Sequence, residues 1–273
     1  VIVCADDAGF AESSDRAILR CFTDGVLRAA SVSVTRPGAE RFVQEALAVG
    51  LEVGLHLDLT EGPPLTGVIP GIASTGISFL KDKQATWTLL SAEPESELGE
   101  ALAAEVRAQW ARLVEWGATP SHLNGHNHVH VLPAVRRALC LLIESEPVPF
   151  VRVPCEWVDP HEHPSDFRGL AGFCTSLRTE VMAFGAQTAR FTGYGFSEAP
   201  STVELLASLG KGIALEVMVH PGARPGSPFT ESDNRDQETM VLTDPALPAV
   251  LAERGYAPMG FTEATRLRGT KPQ

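Results

Sequence analysis

Short apolar runs alternate with amphipathic stretches along most of the chain. Val1 to Ala5 is an apolar run that stops at Asp6 and Asp7 and reads as a strand. Ser14 has the chemistry of a helix N-cap, Ile18, Cys21 and Phe22 then share a helical face, and Gly25 ends the pattern. Ala30 to Thr35 alternates as a second strand. Ala39 to Val49 puts Phe42, Val43, Ala46 and Leu47 on one side of a helix that Gly50 stops. From Glu52 to Leu59 the alternation is clean: Val53, Leu55, Leu57 and Leu59 take one face, Gly54, His56 and Asp58 the other. Leu98, Leu102, Val106, Trp110 and Leu113 give the strongest helical spacing, with Gly117 behind it. Ser121 to Gly125 reads as a strand, and Pro133 opens a helix that continues from Ala134 to Glu144. Phe150 to Val153 reads as a strand, Ser201 to Leu209 as a short helix, Gly212 to Val219 as a buried strand and Leu247 to Arg254 as a last helix. Glu61 to Leu90 and Gly222 to Thr239 lack a sustained period and read as long loops. Glu156 to Thr192 fits neither period, and Gly269 to Gln273 reads as a fraying end.

Strands that alternate with helices make a mainly parallel sheet. About six or seven such units, with no internal repeat and no linker, predict an α/β fold of distorted or incomplete (β/α) TIM-like barrel type, in one domain spanning 1–273. No GxGxxG follows a strand, which argues against a dinucleotide fold. The residues are 44% hydrophobic and 21% charged, enough apolar material for a sizeable core. The formal net charge of -12 opposes nucleic acid and anionic membranes as partners. No apolar run is long enough to span a bilayer, and no signal peptide is visible. The five cysteines are odd in number and lack CxxC spacing, so reduced thiols in a cytoplasmic compartment are expected. A lid or a homo-oligomer contact are alternative roles for the two long loops.

The chemistry-bearing residues gather at strand ends. Asp6 and Asp7 follow the first strand, His56 lies late in the third, His126, His128 and His130 follow the SHLNG strand, and His220 closes the strand ending at Val219. In parallel α/β folds these ends form one rim, where sites are built. Taken singly, each has an ordinary structural explanation. An Asp pair serves a turn, a lone His completes a buried hydrogen bond, and His128 and His130 suit a loop. Together they offer a mixed oxygen–nitrogen site for a divalent cation, with nearby groups for proton transfer, which is a hydrolase's equipment.

Several ordered motifs then identify a family. VCADDAG resembles an ADDFG motif, GLHLDLTEGPPL a GLHLxLTEGxPL motif, and SHLNGHNHVHVLP a THxDGHxHVHxxP motif. VRVP, EVMVHPG and a stretch ending AERGYAPM follow in the same order. From Val1 to about Thr262 the chain resembles the YdjC-like carbohydrate deacetylases, kin to the NodB-type polysaccharide deacetylases. The resemblance implies a distorted barrel that hydrolyses the N-acetyl group of an amino sugar or short chito-oligosaccharide. It implies Asp7, His56 and His126 as metal ligands, Asp6 as base, Arg152 as the residue orienting that base, and His220 as acid. It brings magnesium as the cation, whereas the ligand types also suit zinc. A non-catalytic saccharide-binding barrel and a metal hydrolase acting on another bond are the rival functions. Two positions depart from the family pattern: Ala8 stands where Phe is usual, and Asn124 where Asp is usual.

Overall fold

The computed structural model describes residues 1–73, 83–155, 170–193, 214–222 and 235–269. Six strands form one sheet: β1 (Ile2–Ala8), β2 (Ala29–Val32), β3 (Glu52–Leu57), β4 (Leu123–Gly125), β5 (Arg190–Thr192) and β6 (Leu215–Val219). Their order is β4-β3-β2-β1-β6-β5, and every pair is parallel. The expected strand at Phe150 to Val153 makes only single bridges, Leu123 with Val151 and Phe150 with Gln187. That segment spans the gap between the edges at β4 and β5, so the barrel is incomplete on this side, as the sequence pattern predicts.

Alternation along the strands divides the interior into two cores. Val3, Ala5, Val53, Leu55 and Leu57 face outward and pack with Phe42, Trp110 and Leu139 under the helices. Those helices include α1 (Glu12–Thr23), α2 (Ala39–Val49), α3 (Lys83–Leu90), α4 (Ser96–Glu115), α5 (Pro133–Ser145) and α6 (Leu170–Ala183). Ile2, Cys4, Ala29 and Phe150 face inward and form a separate cluster with Phe261. Phe261 opens the last helix of the described residues, which follows α7 (Arg235–Leu242) and α8 (Leu247–Glu253) as α9 (Phe261–Gly269). Its ring stacks on His122 at 4.0 Å and meets Phe150 at 4.8 Å. The preceding residues are tied to the first strand, where Met259 N–H donates to the Val1 carbonyl at 2.9 Å. α9 therefore plugs the N-terminal end of the barrel and stacks against His122, the lowest of its buried polar side chains.

Several expectations are corrected. Helix α1 starts from Ala11, not Ser14, and Ala11 makes no side-chain capping bond. Ser14 is buried within the helix. Asp15 reaches back instead, accepting from Gly9 N–H at 2.8 Å and pairing with Arg41 at 2.8 Å. Both long loops contain helix: α3 lies at the end of the 61–90 stretch and α7 in the 222–239 stretch. The first loop is also pinned, because the buried Glu105 carboxylate on α4 accepts from Leu65 N–H at 3.0 Å and Thr66 N–H at 2.9 Å. A polar residue on an otherwise apolar helix stripe marks that anchor. The undecided 156–192 stretch contributes α6 and β5, and α9 had no counterpart in the sequence pattern. The expected helix at 201–209 lies outside the described residues.

Two outcomes follow from this packing. Phe261→Ala removes the plug and should destabilise the protein by about 3–5 kcal/mol, read as a lower urea midpoint. Asp15 supplies a pH signature. Burial raises its carboxyl to about 6, against the pull of Gly9 N–H and Arg41. Its folded value thus lies above an unfolded value of about 3.9. The stability it contributes is full below that lower value and is lost as pH rises through about 6. Asp15→Asn keeps the acceptor for Gly9, so Tm of the variant relative to the parent should climb between pH 4 and pH 7.5. A constant difference would contradict the raised carboxyl.

Candidate metal centre and active site

Asp6 and Asp7 are adjacent in β1, and in a regular strand neighbours point to opposite faces. Here the rule is broken locally. The pairing of β1 with β2 shifts register between Ala5 and Ala8, and Asp7 has a left-handed φ of 62°. Such a conformation costs an ordinary residue about 1–3 kcal/mol and is held by its surroundings. Phe10 N–H bonds the Asp7 carbonyl at 3.3 Å, and Ser33 N–H bonds the Ala8 carbonyl at 3.1 Å. Gly9 has φ 93°, and a Cβ there would sit 2.9 Å from that of Ala39. Only glycine allows this close crossing over α2. The result is that both carboxylates enter the barrel mouth.

Asp7 Oδ1, His56 Nε2 and His126 Nδ1 converge. The separations are 3.0 Å from His126 to Asp7, 3.3 Å from His56 to His126 and 3.4 Å from His56 to Asp7. A cation with bonds of about 2.0–2.1 Å leaves ligand–ligand edges of roughly 3.0 Å at right angles and roughly 3.4 Å in a tetrahedron. The donor set therefore fits one small divalent ion, and all three residues are buried. The electrostatics agree. Burial alone would raise the Asp7 carboxyl, but hydrogen bonds from His126 and His56 outweigh it and hold it well below the usual range. Burial alone would lower His126, but Asp7 and Glu61 push it up to about 10. The pocket thus favours positive charge at this point.

Asp6 takes different partners. Both its oxygens are held by the Arg152 guanidinium, and Asn124 Nδ2 donates to Oδ1 at 3.1 Å. Arg152 also donates through Nε to Glu216 at 2.6 Å, and all three charged groups are buried. For Asp6, Arg152 and then His56 outweigh burial and keep the carboxyl ionised. Burial prevails at Glu216 and shifts it upward despite the same guanidinium. One buried Arg thus secures the Asp6 carboxylate and shares its remaining nitrogen with Glu216.

The remaining candidates divide. His220 follows β6, with its backbone N–H bonded to Glu238, and burial lowers its imidazole against the opposing pull of Asp7 and Asp6. His128 and His130 are buried in the turn after β4 and do not join the three converging donors. His130 Nε2 bonds the Arg152 carbonyl at 3.0 Å, so it supports the backbone of that residue. Ala8 is buried, and Phe10 brings an aromatic ring to the site, 4.9 Å from His126 and 3.8 Å beneath the Arg36 guanidinium.

Four contributors escaped the sequence reading. Glu61 Oε1 lies 3.3 Å from His126 Nε2. Arg235 donates to the second Asp7 oxygen at 2.9 Å. Glu216 and Glu238 meet Arg152 and His220 as described. Glu61 and Glu216 stand inside two of the quoted motifs, and Glu216 is a lone acid in a buried apolar strand, which was a usable signal. Arg235 and Glu238 fell in a stretch read as a loop.

A sequence model of the YdjC-like protein family matches residues 1–253. A chitooligosaccharide deacetylase of Salmonella typhimurium is 28% identical, over 96% of this chain and 98% of its own length. The chitooligosaccharide deacetylase of Salmonella paratyphi B is similar to the same extent. Among solved structures, an Enterococcus faecalis protein described provisionally as a cellobiose-phosphate cleavage protein superposes with a TM-score of 0.73 at 19% identity, covering 96% of this chain and 97% of that one. That last likeness speaks for the fold. With the matched residues running through every strand and through the three converging donors, the chain belongs to the YdjC-like family.

Proposed function

We propose that this protein is a metal-dependent carbohydrate deacetylase, which hydrolyses the N-acetyl group of an acetylated amino sugar or short chito-oligosaccharide and releases acetate. The observation that carries this reading is the meeting of Asp7, His56 and His126 within bonding reach of one ion, beside an ionised carboxylate that is not part of the set. Similarity to chitooligosaccharide deacetylases over nearly the whole chain supports the substrate class.

Asp7, His56 and His126 would hold the cation, Mg2+ by family resemblance or Zn2+ by ligand type. When bound, it would lower the pKa of water and polarise the acetyl carbonyl. Asp6 acts as the base and takes the proton that water loses on attack. Arg152 fixes its orientation through both carboxylate oxygens and keeps it ionised. As the C–N bond breaks, His220 gives a proton to the amine. Its imidazole is neutral in the resting site, because burial lowers it. The proton that Asp6 takes from water balances the one the amine receives, so His220 is recharged from Asp6 or from solvent before it acts as the acid.

Three measurements test the proposal. The metal-loaded protein should release acetate from N-acetylglucosamine oligomers, lose that activity on chelation and regain it with added divalent ion. Glycan binding without acetate release would overturn the catalytic reading. His126→Ala should abolish cation binding in a calorimetric titration. Asp6→Asn should lower turnover by about 10²–10⁴-fold, the span of general-base contributions, while the cation still binds. Full activity in that variant would remove Asp6 from the mechanism.

A further inference from the structure

Asn124 is fully buried on β4 and touches three strands at once. Its Oδ1 lies 2.7 Å from His56 Nδ1, and its Nδ2 lies 3.1 Å from Asp6 Oδ1 and 2.8 Å from Ser31 Oγ. A side-chain amide has two donors on nitrogen and an acceptor on oxygen, so its surroundings decide which way it faces. Asp6 decides here. Its ionised carboxylate accepts only, so the amide nitrogen must face it and the amide oxygen must face His56. His56 Nδ1 then has to carry a hydrogen, which leaves Nε2, the atom turned toward Asp7 and His126, as the one a cation can bind.

The constraint continues through the barrel. Ser31 Oγ accepts the second hydrogen of Nδ2, so its hydroxyl is free to donate to His122 Nε2 at 2.9 Å. His122 is neutral, since burial lowers it to about 3. Its Nδ1 hydrogen goes to Ser121 Oγ at 2.9 Å, and that hydroxyl donates to the Val53 carbonyl at 3.3 Å. The Cys4 thiol lies 3.3 Å from Ser31 Oγ and 3.4 Å from His122 Nε2, and is a second donor within reach of that nitrogen. The His122 ring cannot turn over easily, because it stacks on Phe261 and fills the space where a Cβ on Gly54 would come within 2.4 Å of its Nδ1.

We propose that Asn124 is a positioning residue that presets His56 as a metal ligand, and that Asp6, backed by Ser31, locks the amide in the orientation this requires. The proposal rests on the reading of His56 as a ligand in the previous section. Groups behind a metal-bound imidazole select its tautomer and orientation, and losing one typically costs 10–100-fold in metal affinity.

The test uses the full chain and has two arms. Nitrogen-15 NMR of the native protein should find hydrogen on Nδ1 of both His56 and His122. An Nδ1 without hydrogen at either position would overturn the chain, whatever the protein does with metals. In the second arm, zinc is titrated calorimetrically into Asn124→Leu and Asn124→Asp. The leucine variant, which offers His56 no acceptor, should bind zinc about 10–100-fold more weakly than the parent. The aspartate variant keeps an acceptor toward His56, although it sets a second carboxylate against Asp6, and should bind zinc more tightly than the leucine variant, a rescue that packing alone would not produce. Equal affinity in all three proteins would overturn the positioning role. A native protein that binds no zinc would instead refute the ligand reading, and the NMR arm would still decide the chain. Should the leucine variant fail to fold, Ser31→Ala takes its place. It removes the second acceptor of the Asn124 amide, so zinc affinity should fall part of the way toward that expected of the leucine variant; parental affinity would overturn the lock.

Discussion

The site depends on one backbone irregularity. Two adjacent aspartates at the end of a straight strand would send one carboxylate into the barrel and the other into the helical layer. The register shift before Ala8 and the left-handed Asp7 turn both inward. The surroundings that hold this conformation are themselves sequence features: a glycine too close to Ala39 for any side chain, and Asp15 accepting the glycine's N–H. Strain of this kind persists only where neighbouring structure over-determines it. Its product is two carboxylates, neighbours in sequence, with separate environments.

Those environments differ in what they leave unsatisfied. Asp6 is saturated by Arg152 and Asn124, so its charge is balanced within the protein. The Asp7 oxygens face two imidazoles and Arg235. In the absence of an ion, attraction of the same sign appears as an upward shift at His126. A divalent cation would replace that proton with a larger charge at the same point. Burying so many charges is tolerable because each carboxylate has a cationic or hydrogen-bonding partner within reach. The neutral state of His122 and His130, both lowered to about 3 by burial, avoids adding positive charge to the interior.

Much of this was legible in the sequence because it follows from short-range pattern. Alternation at Val53 to Leu59 placed His56 on the inner face, and helical spacing from Leu98 to Leu113 located α4. The order of strands and helices led to a parallel, incomplete barrel. What escaped was tertiary. The stretch from Phe150 to Val153 looks like a strand, but its backbone has partners at only a few positions on each side. α7 and α9 are short and carry weak apolar periodicity, so their burial comes from what they cover. Arg235 shows the cost of that miss, since a residue read as part of a loop sits against Asp7. The departure at Asn124 was visible as a residue change, but its partners on three strands were not.

The two ends of the barrel are linked by this polar interior. At the bottom, Phe261 stacks on His122 and fixes its ring. One layer up, Ser31 and Asn124 carry the hydrogen-bond direction toward His56. At the top, His56 meets Asp7 and His126. An apolar plug and a polar centre at the opposite end are therefore joined by one continuous path of hydrogen-bonded side chains. Interiors packed at crystal-like density transmit such constraints because their side chains have no room to relax. In this barrel α9 does more than close the N-terminal end. It holds the His122 ring, the far end of the hydrogen-bonded path that reaches His56 at the mouth.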